Sequence, residues 1–494
     1  MSRELDLVAI DLGASSGRAM LGQFDGERVR LRELHRFSNG PVGLPDGIHW
    51  DVLGIWSEVR RGLALAAREP SVELAGVGID TWGVDFGLLD RAGALIGNPY
   101  HYRDSRTDGM LEAAFERVPR AQIFGQTGIQ FMEINTLFQL FSMVLNESPE
   151  LEIAKSLLMM PDLLNYWLTG RKVGEFSICT TSQCYDTLKG DWAWSLLEAL
   201  DIPTDLFPEV IPSASVVGEM LPSVAHDLGM APIPVLAPAC HDTGSAVAAV
   251  PATGTDFAYV SCGTWSLVGT ELSKPLVNDG SLRLSLTNEG GVCDTFRFLK
   301  NITGLWLVQE CRRQWGLDGE KLSWDELTMM ASEAEPLRTV IDPDCPDFLK
   351  PGNMPARIRA YCERTGQWVP ENKGEIICCA LEGLALKYRW VLEGIEDVLG
   401  RRLNPLHLVG GGIKNTLLCQ FAADATGREV VAGPVEATAI GNVLTQVMAL
   451  GELSSLAELR QVVRNSFEIV RYEPSGDPRW EDAYARLGDL MAEC

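Results

Sequence analysis

Long apolar runs are missing from this chain: no segment reaches the roughly 18 uninterrupted apolar residues of a membrane span, although 46% of its residues are hydrophobic. A spanning helix is therefore not expected, while material for a globular core is ample. Positive charge is also short, since 42 Lys and Arg against 67 Asp and Glu leave a net charge of −25. Such a surface repels nucleic-acid phosphates over most of its area, so any anionic ligand has to be held by a local site. The opening residues Met1-Ser2-Arg3-Glu4-Leu5-Asp6 lack an apolar h-region, which makes a cytoplasmic location the expectation. The 12 cysteines are scattered. Pairs such as Cys179 with Cys184 and Cys378 with Cys379 have no histidines nearby at metal-ligand spacing, so most are read as reduced core thiols. Cys362 and Cys379 could bridge under oxidising conditions, a question of geometry that sequence leaves open.

At 494 residues the chain is too long for one typical core, and two domains of roughly 200 to 250 residues are expected. The stretch "AIDLGASSGRAM" at 9–20 carries the first chemical signal. Leu5 to Ile10 reads as a buried strand running into Asp11. The turn Gly13-Ala14-Ser15-Ser16-Gly17 has side chains small enough for its backbone N–H groups to approach an anion. Arg18 to Phe24 reads as a second strand and Asp25-Gly26 as a hairpin turn into a third. The loop is thus strand-turn-strand. Dinucleotide and Walker loops need a helix behind their glycines, and Walker loops also need Gly-Lys-Ser/Thr, so both are excluded. A plain polar hairpin is the other reading of this segment.

Farther on, Trp56, Val59, Leu63 and Ala66 recur at helical spacing up to Pro70, and Leu74 to Asp80 forms a strand leading into "TWGVDFGLLD". Phe257 to Ser261, then Cys262-Gly263-Thr264-Trp265-Ser266 and a further strand repeat the opening design, as two related halves would. The breaker-rich Pro251 to Thr255 stretch just before it is the best boundary. A stripe from Ile377 to Val398 predicts a long helix capped at Gly400. Leu406 to Val409 then ends in Gly410-Gly411-Gly412, with a helix from Asn415 to Gly427 whose N-terminus favours anions. Between the halves, "PACHDTGSAVAAV" at 238–250 places Asp242 as a candidate base ahead of a small-residue helix. A capping aspartate is the alternative.

Taken together, the first hairpin, "TWGVD", "YRDSRT", "HDTGSA", "CGTWS", "NITGLWLVQE" and "GGGIKNTLL" occur in an order that closely resembles the FGGY family of carbohydrate kinases, over roughly residues 7 to 450. Within that family the "TWGVDF" and "NITGLWL" segments are similar to those of the branch that phosphorylates L-rhamnulose in rhamnose catabolism. The resemblance implies an α/β fold of two actin-like, ribonuclease-H-type domains, as in the sugar kinase, actin and heat-shock chaperone superfamily, with a central cleft. Residues 1–250 would be the sugar-binding side and residues 251–494 the nucleotide-binding side.

It further implies ATP and Mg²⁺ as cofactors and a ketose as the small-molecule partner. Ala14, Ser15, Ser16, Gly17, Arg18, Thr264, Gln309 and Gly411 would contact ATP. Gly83, His241, Asp242, Thr243 and Asn301 would hold the sugar, Asp242 would be the catalytic base, and Asp11 would hold the metal through water. Two residues depart from the family pattern: Cys240 stands where a serine is more usual, and Glu133 adds a charge that bears on sugar choice if it lies near the cleft. An L-fuculose-type kinase and a non-catalytic actin-like nucleotide-binding protein remain as alternatives.

Overall fold

The computed structural model describes residues 4–493. They pack as two units. One runs through Thr253 and takes in Glu271–Phe298 and Ala437–Ser466; the other comprises Gly254–Thr270, Leu299–Glu436 and the chain from Phe467 onward. Two stretches beyond residue 250 thus pack with the first unit. Those stretches carry only local helix and strand signals, which do not say which core they join.

In the first unit, β1 (Leu5–Leu12), β2 (Ser16–Phe24) and β3 (Val29–Ser38) form an antiparallel meander. Helix α1 (Val52–Ala67) follows, then β4 (Leu74–Thr81), the short helix α2 (Phe176–Thr181), β5 (Ser215–Glu219), β6 (Pro234–Ala237) and helix α3 (Asp242–Ala248). The sheet order is β3-β2-β1-β4-β6-β5, with β1, β4 and β6 mutually parallel. All eight residues of β1 are buried, which explains a near-continuous apolar run where an alternating one would mark a half-exposed strand. Helix α1 starts at Asp51, whose carboxylate accepts from Gly54 N–H, and buries Val52, Ile55, Val59, Leu63 and Ala66. Trp56, expected on that stripe, lies beside it with its ring edge-on to Trp167.

The first turn is shorter than the sequence suggests. Ser16 and Gly17 already belong to β2, Gly17 pairing with Leu12, so the turn is Gly13-Ala14-Ser15. Gly13 N–H donates to the Ser16 carbonyl at 2.9 Å, and Asn39 donates from its backbone to Ser15 O and from its side chain to Gly13 O. Gly17 does not occupy the left-handed region; it is small because a Cβ there would overlap the Phe37 ring and a Leu12 methyl.

The second sheet is built from β7 (Ala258–Cys262), β8 (Trp265–Leu272), β9 (Thr287–Gly290) and β10 (Phe296–Thr303). Helices α4 (Trp306–Leu317) and α5 (Lys373–Leu399) follow, then β11 (Leu406–Val409), helix α6 (Thr416–Thr426), β12 (Val430–Ala432) and β13 (Val470–Tyr472). Its order from β10 is β10-β8-β7-β11-β12-β13, with β9 beyond β10. Strand for strand this repeats the first sheet: a hairpin, then parallel neighbours, then an antiparallel last strand. The repeat expected from the two hairpins is thus carried by whole sheets. Helix α5 ends at Gly400 (φ 68°) and α6 at Gly427 (φ 60°), each glycine taking the left-handed cap. Cys362 and Cys379 are buried and unbridged. No helix among the described residues is long and apolar enough to cross a membrane.

One returning segment, helix α7 (Ala437–Ala449), packs on the first sheet and against α3. Asn442 donates to Asp80 at 2.5 Å and Gln446 to the Val8 carbonyl at 3.0 Å, so two amides hold the helix to the middle strands. Gly441 faces α3 so closely that a Cβ would overlap the Ser245 carbonyl oxygen. Gly441→Ala is accordingly expected to cost about 3 kcal/mol, since neither backbone can yield without moving a helix. Thermal melting of the variant checks this; an unchanged Tm would show that the contact is slack.

Candidate active site

The carboxyl ends of β1, β4 and β6 lie side by side. Trp82 N–H donates to Leu12 O at 3.2 Å, and Thr81 N–H to Cys240 O at 2.9 Å. The region beyond the carboxyl ends of parallel strands is where α/β sheets bind ligands. Here it gathers, within the first unit, the Gly13-Ala14-Ser15 turn, Asp11, Gly83, His241, Asp242 and Thr243.

Asp242 is the first residue of α3, and His241 is its N-cap. The Asp242 Oδ1 atom accepts from Thr243 N–H at 2.5 Å and from Thr243 Oγ1 at 3.1 Å, with His241 Nε2 at 3.4 Å. Among the described residues nothing hydrogen-bonds Oδ2, and the side chain is 30% exposed. One oxygen is anchored and the other is available, as a proton acceptor requires. An ordinary helix cap sits at the N-cap position and accepts from N2 or N3; Asp242 accepts from the N2 N–H but stands at N1, His241 holding the N-cap.

Asp11 and Asp80 are direct register partners on β1 and β4. The Asp11 carboxylate takes the Arg18 guanidinium at 2.5 Å, so Arg18, expected on phosphate, is tied to the neighbouring acid. Asp80 is fully buried; burial first and Asp11 second push its carboxyl well above the ordinary range, against the hydrogen bond from Asn442. Its Oδ1 has no hydrogen-bond partner.

Buried acids position these groups, and one of them, Glu175, carries no signal in the sequence. Glu175, at the N-cap of α2, accepts from Cys240 N–H at 3.0 Å, and the Ser177 hydroxyl it holds accepts from His241 N–H at 3.1 Å. Cys240, the departure noted in sequence, contributes its backbone here and its thiol is buried. The "TWGVD" motif folds around Asp85, which accepts from the indoles of Trp50 (2.6 Å) and Trp82 (2.9 Å) and from Gln139 (3.0 Å). Burial raises its carboxyl to about 6 despite those bonds. Arg106 of "YRDSRT" donates to Gln139 in the same cluster. Val84 is held at φ 69°, a conformation that costs a β-branched residue about 1–3 kcal/mol. Thr181 binds its N–H, and Thr136 and Gln139 bind its carbonyl. Strain and buried acid thus fix the turn that carries Gly83. Glu133 accepts from Gly109 N–H, so its charge is spent on backbone.

In the second unit, Thr264 Oγ1 donates to Gln309 Oε1 at 3.1 Å. Gly304 N–H donates to Thr264 O and Leu305 N–H to Gly263 O, and a Cβ at Gly304 would overlap the backbone of the β7–β8 turn. Gly304 therefore fastens α4, with Gln309, to the turn; the sequence offered it only as part of "NITGLWL". Gly410 and Gly412 pack on Cys262, whereas a Cβ at Gly411 would meet open space. Asn301 lies half-buried on β10 in this unit.

Two family models match the chain: the N-terminal domain of the FGGY family of carbohydrate kinases over residues 7–249 and its C-terminal domain over residues 258–450. A rhamnulokinase of Bacteroides thetaiotaomicron is 44% identical over 483 residues, covering 98% of this chain and 99% of that protein. A rhamnulokinase of Halalkalibacterium halodurans is 40% identical, covering 94% and 98%. Among solved structures, a ligand-bound xylulose kinase from Lactobacillus acidophilus has the same fold, with a TM-score of 0.81 at 14% identity over 99% of this chain and 98% of that one. Paired sheets, repeated turns and near-complete matches agree: the chain belongs to the FGGY family of carbohydrate kinases, enzymes that use ATP to phosphorylate small sugars.

Proposed function

We propose that this enzyme transfers the γ-phosphoryl group of ATP to the 1-hydroxyl of L-rhamnulose, giving L-rhamnulose 1-phosphate and ADP. Two relatives that match almost end to end bear the name rhamnulokinase, and the observation that carries the mechanism is Asp242, with one oxygen bound and the other available. Phosphoryl transfer asks the protein mainly for positioning and charge neutralisation. In this reading the hydroxyl proton passes to Asp242 Oδ2 as the oxygen bonds to phosphorus, and the bond to the ADP oxygen breaks. His241 and Thr243 steady the base from the Oδ1 side and, with Gly83 and Asn301, hold the sugar. Ala14, Ser15, Ser16, Gly17 and Arg18 with Thr264, Gln309 and Gly411 attend the nucleotide, the turns offering N–H groups to phosphate oxygens.

Asp11 and Asp80 present adjacent carboxylates, one with an unpartnered oxygen. Hard oxygen donors of this kind fit Mg²⁺, which usually takes one or two carboxylates plus water and substrate phosphates. Among the described residues no three acids, histidines or cysteines could chelate a metal alone, which suits an ion arriving with its nucleotide. When bound, Mg²⁺ would neutralise charge on the β- and γ-phosphates. The 11 unbridged cysteines among the described residues suit a cytoplasmic enzyme.

Three experiments test the reading. ADP release across L-rhamnulose, L-fuculose, L-xylulose, D-xylulose and glycerol should favour L-rhamnulose, and a better rate on xylulose or glycerol would overturn the sugar assignment. ATP binding without any sugar-dependent turnover would instead indicate a non-catalytic nucleotide-binding protein. For the first turn, Gly13→Ala meets nothing closer than 3.4 Å and needs no left-handed backbone, so the fold should survive. The KM for ATP should rise about tenfold, roughly 1.4 kcal/mol, as the added methyl holds off phosphate. Gly17→Val, by contrast, should lower Tm through its clash with Phe37. For the base, Asp242→Asn should lower kcat by at least about 10² with KM changing far less. A near-wild-type kcat in a folded variant would remove Asp242 from the mechanism.

A further inference from the structure

Behind His241 lies an arginine that no motif announces. Arg297, on β10, is fully buried. Its Nε donates to the Gly290 carbonyl at 2.9 Å, one terminal nitrogen (Nη2) lies 2.9 Å from His241 Nδ1, and the other (Nη1) lies 3.0 Å from Glu289 Oε2. Glu289, on β9, is itself buried and its Oε2 also lies 3.2 Å from His241 Nδ1. Two neighbours therefore compete for one ring nitrogen. The carboxylate would favour a proton on Nδ1; the guanidinium, which can only donate, forbids one. A protonated Nδ1 would set two donors against each other at 2.9 Å in a site without water-like screening. The guanidinium is the nearer group, and the Glu289 charge already faces Arg297. Nδ1 is thus the acceptor, and the ring keeps its proton on Nε2, the nitrogen 3.4 Å from Asp242 Oδ1.

We propose that Arg297, backed by Glu289, is a positioning residue for phosphoryl transfer: it locks His241 as the Nε2–H tautomer, so that the ring offers a hydrogen to the Oδ1 side of Asp242 and leaves Oδ2 to take the substrate proton. Arg297 touches neither substrate nor base. It acts through the ring it orients, as supporting residues around reactive groups commonly do. The inference rests on Asp242 as the base, but the position of the ring proton can be measured independently of that role.

The test begins with the full-length wild-type enzyme carrying ¹⁵N-labelled histidine, the His241 signals being identified by their loss in His241→Gln. At neutral pH the spectrum should show a bare Nδ1 and a protonated Nε2; a proton on Nδ1 overturns the inference. In Arg297→Met the ring should lose this preference, and kcat should fall about 10- to 100-fold with the ATP KM within about threefold of wild type. Arg297→Lys, which retains one donor, should recover part of the loss. A folded Arg297→Met enzyme with wild-type kcat overturns the proposal, because a purely structural arginine would change Tm alone. Should Arg297→Met fail to fold, the wild-type spectrum and the kcat of Arg297→Lys decide: Nε2–H with a lowered kcat supports the proposal, and any other pair of results overturns it. A fully active Asp242→Asn enzyme would remove the base while leaving the tautomer result standing, so the two failures are distinguishable.

Discussion

The carboxylate of Glu175 is the contact on which the first unit's chemistry depends. It is buried, and it receives five hydrogen bonds: from Ser177 N–H and hydroxyl, Ile178 N–H, the Ser213 hydroxyl and Cys240 N–H. Burying a charge is expensive unless its oxygens are satisfied, and here each is satisfied more than once. In return one side chain starts a helix, holds the segment before β5 and fixes the backbone just ahead of the His241-Asp242 pair. The interaction is charge-assisted. Losing it would strand five donors in a site closed to water, a larger penalty than the loss of any one bond.

Both sheets solve the same problem with the same parts. A hairpin turn must stand at the end of a parallel strand, with its first glycine N–H folded back: Gly13 to Ser16 O in one and Gly263 to Trp265 O in the other, both at 2.9 Å. Each turn is then buttressed by something distant in sequence, Asn39 in the first case and Gly304 in the second. The repeat lies in architecture more than in residues, and such a pattern survives wide sequence divergence, as the 14% identity to a xylulose kinase of the same fold illustrates.

Local signals made much of this legible. The two hairpins, the α5 stripe with its Gly400 cap and the α6 helix from Asn415 to Gly427 all follow from periodicity and turn chemistry within a few residues. The His241-Asp242 helix start was readable for the same reason. The groups that were missed act across long separations. Glu175 meets Cys240 sixty-five residues away, Arg297 meets His241 fifty-six residues away, and Asp80 is held by Asn442 from the far end of the chain. A buried acid or arginine has no periodic signature; only the partner explains it. Gly17 shows the converse, since its smallness was legible but its cause, the Phe37 ring on the next strand, was not.

The close approach of Gly441 to the Ser245 carbonyl has a mechanical meaning. Where side chains separate two helices, rotamer changes absorb small displacements. Main chain resting on main chain leaves no such cushion. Helix α3, with Asp242 at its tip, is therefore seated on α7 as a hard stop, and α7 is in turn fastened to β1 and β4 through Gln446 and Asn442. Asp242 inherits the stiffness of the sheet, and its thermal excursions are those of a whole layer rather than of a single turn.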